Sequence, residues 1–222
     1  GQNFFKHSFC LSQNKLFKMK KLILLTSFTL LFLSCQKSEK TAAETSDHHQ
    51  KTSEVKNDMA VLMDEMMDKM QAPKSTGNND ADFSKMMIEH HIGAVKMSEL
   101  LLNKGKDSEL KAFAQKVIAA QNKEIELMKK FQNKTELSKD REQFQTALNQ
   151  SMGAMMNKEI KVYEDIDRNF AAQMIPHHQS AVDMAKVYSK YGQEKELLQL
   201  SEDIVREQSL EITQLQNWLA KK

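Results

Sequence analysis

Two pairs of adjacent histidines, His90-His91 and His177-His178, stand in segments rich in methionine. Imidazole is a borderline-soft metal ligand and thioether a soft one. A third pair, His48-His49, precedes them, so every histidine after His7 has a histidine neighbour. Isolated core histidines would not cluster in this way. Metal ligation is therefore the reading for His90, His91, His177 and His178, while the role of His48 and His49 stays open in their polar surroundings. The chain holds fifteen methionines but only two cysteines. Without thiolates or clustered carboxylates, a Met/His set suits copper, above all Cu(I). Zinc would call for Cys or for three compactly spaced His or carboxylate ligands. Thioethers also avoid the disulfide chemistry open to thiols outside the cytoplasm.

An internal repeat carries these residues. With a shift of 87 residues, Phe83 to Met97 lies over Phe170 to Met184 without a gap, and eight of the fifteen positions are identical. The register continues through Gly105 over Gly192, Glu109-Leu110 over Glu196-Leu197, Gln121 over Gln208, and Glu124-Ile125 over Glu211-Ile212. A weaker echo precedes each copy, Met63-x-x-Met66-Met67 over Met152-x-x-Met155-Met156, at a shift of 89. Each copy thus reads as a methionine-rich helix, a His-His helix and a long helix. The fold class is all-α, a four-helix bundle of two duplicated hairpins with the Met-rich helices added against it. The low count of six glycines and two prolines agrees with long helices.

Helical spacing places the side chains. Phe83, Met87, His90, Ala94, Met97 and Leu101 form one apolar seam, repeated by Phe170, Met174, His177, Ala181, Met184 and Tyr188. The first histidine of each pair sits in the seam, and His91 and His178 flank it, one turn beyond Met87 and Met174. Met59, Met63, Met66 and Met70 share one stripe, for which core packing and metal contact are both open. On the long helices, Gln121 and Glu124, like Gln208 and Glu211, fall inside an apolar stripe. A buried carboxylate costs several kcal/mol unless paired. Glu124 is therefore expected to support His90 or His91, and Glu211 to support His177 or His178. A polar contact with Gln121, Gln208 or a capping group is the alternative. Asp80 or Asp82, and Asp165 or Asp167, are candidate N-caps, and Gly105 and Gly192 suit a left-handed position after a helix. Residues 71–81 and 132–138 read as loops.

The Met-Ile-x-His-His-x-x-Ala-Val-x-Met segments and the following Gln121-x-x-Glu124-Ile125 pattern resemble the bacterial domain of unknown function 305 family over roughly residues 80–220. The resemblance implies a ferritin-like helical bundle, and some members are associated with periplasmic copper binding and copper tolerance. It also implies a candidate ligand set of Met87, His90, His91 and Met97 with Met174, His177, His178 and Met184. Glu89 departs from the family pattern, which commonly has proline there, as at Pro176. Pro176 removes a backbone donor and should perturb its helix, so the two copies are expected to differ in geometry.

Toward the N-terminus, Met19-Lys20-Lys21 and the apolar run Leu22 to Leu33, then Ser34-Cys35, read as a secretory signal peptide of the bacterial lipoprotein type. Residues 1–18 read as upstream readthrough, 19–34 as the signal and 35–57 as a polar, disordered tether behind an acylated Cys35. Residues 58–222 form the duplicated metal-binding domain, with copies at about 58–131 and 140–220. The chain is then expected in the cell envelope, lipid-anchored to a membrane through Cys35 and facing the periplasm. A net charge of +2 points to no nucleic-acid partner. The functional expectation is a copper-binding protein that buffers or sequesters the ion rather than an enzyme. The rivals are a metal-free structural lipoprotein and a ferritin-like di-iron oxidoreductase. The latter would need Glu-x-x-His motifs, which the helical region lacks.

Overall fold

The computed structural model describes residues 58–156 and 159–222. The upstream segment, the signal, Cys35, the tether and His48-His49 lie outside the described residues. These form six α-helices with no strand among them: α1 (Asp58–Gln71), α2 (Asn79–Lys104), α3 (Ser108–Met128), α4 (Arg141–Gln150), α5 (Ile166–Tyr191) and α6 (Lys195–Ala220). None is long and apolar enough to cross a membrane. Helices α2 and α3 form one hairpin and α5 and α6 its repeat, and the hairpins meet through α2 and α5. Helix α1 lies on both central helices, and the turn after α4 packs on α5.

The two His-His helices are locked by a reciprocal clasp. Asp80, in the first turn of α2, accepts the backbone N–H of Gln193 just beyond α5 at 3.2 Å. Its repeat mate Asp167, in the first turn of α5, accepts the N–H groups of Lys106 and Asp107 just beyond α2, at 3.0 and 3.2 Å. Each start therefore holds the other's end, so α2 and α5 run antiparallel and cross near their middles. Phe83 stacks on Tyr188 at 4.2 Å, closing one end. The seam residues Phe83, Met87, Met97, Leu101, Phe170, Met174, Met184 and Tyr188 are buried. Burial of each such side chain contributes about 1.5–3 kcal/mol before entropy is counted.

Several local expectations change. Asn78, not Asp80 or Asp82, caps α2 by accepting the Ala81 N–H at 2.9 Å. Asp80 is committed to the clasp, and Asp82 turns back to Ser75 and Thr76. Asp165 does cap α5, through the Arg168 N–H. Gly105 and Gly192 are extended, with φ of −70° and −74°, not left-handed. Glycine is needed there for space: a Cβ on Gly105 would meet Asp167 and Leu101, and one on Gly192 the Tyr188 ring. The second methionine-rich helix does not form. Met152 lies in a 3-10 turn, Ser151–Ala154, after a methionine-free α4. Asn149, Ser151 and Gly153 are weak helix formers, and the Ser151 hydroxyl donates to the Leu148 carbonyl instead. Helix α5 continues through Pro176, although proline offers no N–H to the Ala172 carbonyl.

Candidate metal centre

The crossing of α2 and α5 brings the first histidines of both copies together. The His90 and His177 rings lie 3.7 Å apart between centroids, tilted by 40°. The His91 ring is 6.1 Å from that of His90, and the His178 ring 5.9 Å from that of His177. All four side chains are fully buried, so His91 and His178 do not merely flank the seam. The contact joins the two copies: the first histidine of each meets the other where α2 and α5 cross. One-helix periodicity could not show this, because it says nothing of which helices cross.

The hydrogen bonds fix which nitrogen is free. His91 Nε2 lies 2.6 Å from Glu124 Oε2, and a carboxylate can only accept, so Nε2 carries the proton. His177 Nε2 donates to the His90 backbone carbonyl at 3.0 Å. His178 Nε2 lies 3.0 Å from Glu211 Oε2, without full hydrogen-bond alignment. Nδ1 of His91, His177 and His178 is buried without a partner. His90 leans toward the His177 backbone, yet neither of its ring nitrogens attains hydrogen-bond geometry. Glu124 and Glu211 each reach the second histidine of their own copy from α3 and α6. They sit at the rim of the seam, 22% and 24% exposed, rather than in its middle, which spares them most of the burial cost. Gln121 and Gln208 are buried, each with an unpartnered side-chain oxygen.

An unsatisfied buried polar atom costs about 1–3 kcal/mol, so a cluster of them calls for an occupant. Burial first, then the positive charge that neighbouring imidazoles would carry, holds His90 and His177 well below the ordinary imidazole range. Both are neutral near pH 7, with lone pairs available to a metal. Among the described residues, no three His, Cys, Asp or Glu side chains converge as a metal-binding group. Thioethers on the same helices are further candidate donors. Met87, Met97, Met174 and Met184 are fully buried on the same two helices. Met66 of α1 joins them: a Cβ added at Gly93, two residues past His91, would strike its sulfur. The methionine stripe of α1 was visible in the sequence, but its seat over Gly93 was not.

The family model described as Domain of unknown function (DUF305) matches residues 28–132 and 80–219. The chain is similar to CopM in the Ag-bound form, at 33% identity over 64% of this chain and 95% of that chain, with a TM-score of 0.50. Apo CopM matches at 32% identity over 64% and 96%, again at 0.50. CopM in the Cu(I)-bound form matches at 32% identity over 64% and 96%, at 0.49. No curated protein matches the chain.

Proposed function

Since the chain belongs to the DUF305 family, we propose that it binds copper, as Cu(I), at the crossing of α2 and α5. The carrying observation is the set of fully buried imidazoles whose outer nitrogens face a carboxylate or a carbonyl while Nδ1 points to no partner. Nitrogen comes from pairs among His90, His91, His177 and His178, since no three of them converge among the described residues, and thioether sulfur from Met87, Met97, Met174 and Met184. Glu124 and Glu211 orient the rings and raise their basicity, as carboxylates behind metal-bound histidines do. CopM, similar over nearly its whole length, has an Ag-bound form, and silver is a soft monovalent ion of the kind that thioethers favour.

In this reading the protein holds the ion rather than catalysing a reaction, and its role is to buffer or sequester copper in the cell envelope. Anchoring through an acylated Cys35, with the domain facing the periplasm, is supported by the basic start and apolar run ahead of that cysteine. Competition titration of the full chain against a Cu(I) chelator, with Zn(II) in parallel, tests the metal. Cu(I) should be held far more tightly, and a preference for zinc would sink the reading.

A further inference from the structure

Away from the histidines, a groove of about 440 Å³ opens between the end of α1, the start of α2, α4 and the turn after it. Met70, Met86, Met152 and Met156 line it, with Gln71, Gln145, Asn149 and Pro73. The groove's lining contains no leucine, isoleucine, valine or phenylalanine. Its apolar wall is methionine and one proline. No charged side chain lines it either. A docking surface for an apolar partner would draw on the larger, stiffer hydrocarbons, and a hard cation would need carboxylates. Four thioethers from three separate segments, rimmed by neutral amides, suit a soft cation of single charge.

The local structure sets these methionines around the groove. The Met156 N–H bonds the Met152 carbonyl at 3.3 Å, setting the two residues one turn apart. Met156 is 62% exposed at the mouth, whereas Met70, Met86 and Met152 are buried in the wall. Asp82, which lines an adjoining cavity with Met70 and Met86, is held by Ser75 and Thr76. Met70 also lies one turn from Met66 on α1, and Met66 rests on Gly93 beside His91. A line of thioethers thus leads inward from the groove toward the histidines.

We propose that this groove is a second, all-thioether Cu(I) site, which captures the ion at the surface. It extends the copper reading but uses none of the residues of the histidine centre. Thioethers do not protonate, so its affinity should be the same at about pH 8 and about pH 5. The full chain is titrated anaerobically with Cu(I) against a chelator, beside Met152→Leu/Met156→Leu, a volume-conserving change that keeps the packing. The variant should lose one Cu(I) equivalent, the pH-independent one. Equal stoichiometry and affinity in variant and parent would overturn the groove site while leaving the histidine centre standing. His90→Leu/His177→Leu separates the two: it should retain the pH-independent equivalent, and losing it while folded would also overturn the groove. A parent chain that binds no Cu(I) would overturn both.

Discussion

Glu124→Gln isolates what the carboxylate does for the metal. Glutamine keeps an oxygen that can accept from His91 Nε2 at the observed 2.6 Å, but removes the negative charge. Loss of such a partner costs about 10–100-fold in metal affinity, or about 1.4–2.8 kcal/mol at about 1.4 kcal/mol per tenfold. Because the acceptor survives, Glu124→Gln should lie near the lower end. Glu124→Leu strands a buried N–H and should approach the upper end. The metal-free fold should respond differently. Glu124 is partly exposed, so the charge itself contributes no more than about 1 kcal/mol, while the leucine variant should lose about 1–3 kcal/mol through the unpaired N–H. Glu211 meets His178 at 3.0 Å in poorer alignment, so Glu211→Gln should cost less affinity than Glu124→Gln. Chelator competition for Cu(I) reads affinity, and chemical denaturation of the metal-free chain reads stability. Unchanged copper affinity in folded Glu124→Gln, or a larger loss from Glu211→Gln, would refute the reasoning.

Asp80 is pushed up by burial but held below its ordinary value of 3.8 by hydrogen bonds from Lys134, Tyr188 and the Gln193 N–H. The unfolded chain thus takes up this proton first, so the stability is full above about pH 4 and is lost as pH falls through the lower folded value. Asp80→Asn should cost about 1.5–3 kcal/mol at neutral pH and flatten the acid limb of a denaturation series. Gly93→Ala should destabilise by about 1–3 kcal/mol through the clash with Met66, despite a helix-propensity gain of about 1 kcal/mol. A double-mutant cycle with Met66→Ala should show that the two changes are coupled. Cys35→Ala should move the protein from the membrane fraction to the soluble one, and an unchanged distribution would count against the lipid anchor.

Much of this architecture is legible along the chain because the duplication repeats its side chains at a fixed shift of 87 residues. The seam through Phe83, Met87, His90, Met97 and Leu101 follows from the helical period alone. The pairing of Glu124 with a histidine was legible from its place near the apolar stripe, although the side chain lies at the rim and not in its middle. What the period cannot give is the meeting of helices distant in sequence. The contact of His90 with His177, the Asp80–Gln193 and Asp167–Lys106 clasp, and Met66 over Gly93 all depend on the α1–α2–α5 crossing. Gly105 and Gly192 were misread because a glycine after a helix usually signals a left-handed turn, whereas here it makes room for Asp167 and Tyr188. The Met152 echo was misread because methionine spacing outweighed the poor helix formers around it.

The most direct test of the copper centre is X-ray absorption at the copper edge of the Cu(I)-loaded Met152→Leu/Met156→Leu chain, in which the surface groove no longer contributes. The account predicts a shell containing both imidazole nitrogen and thioether sulfur. A shell of sulfur alone, a shell of light atoms alone, or a chain that retains no copper would contradict it.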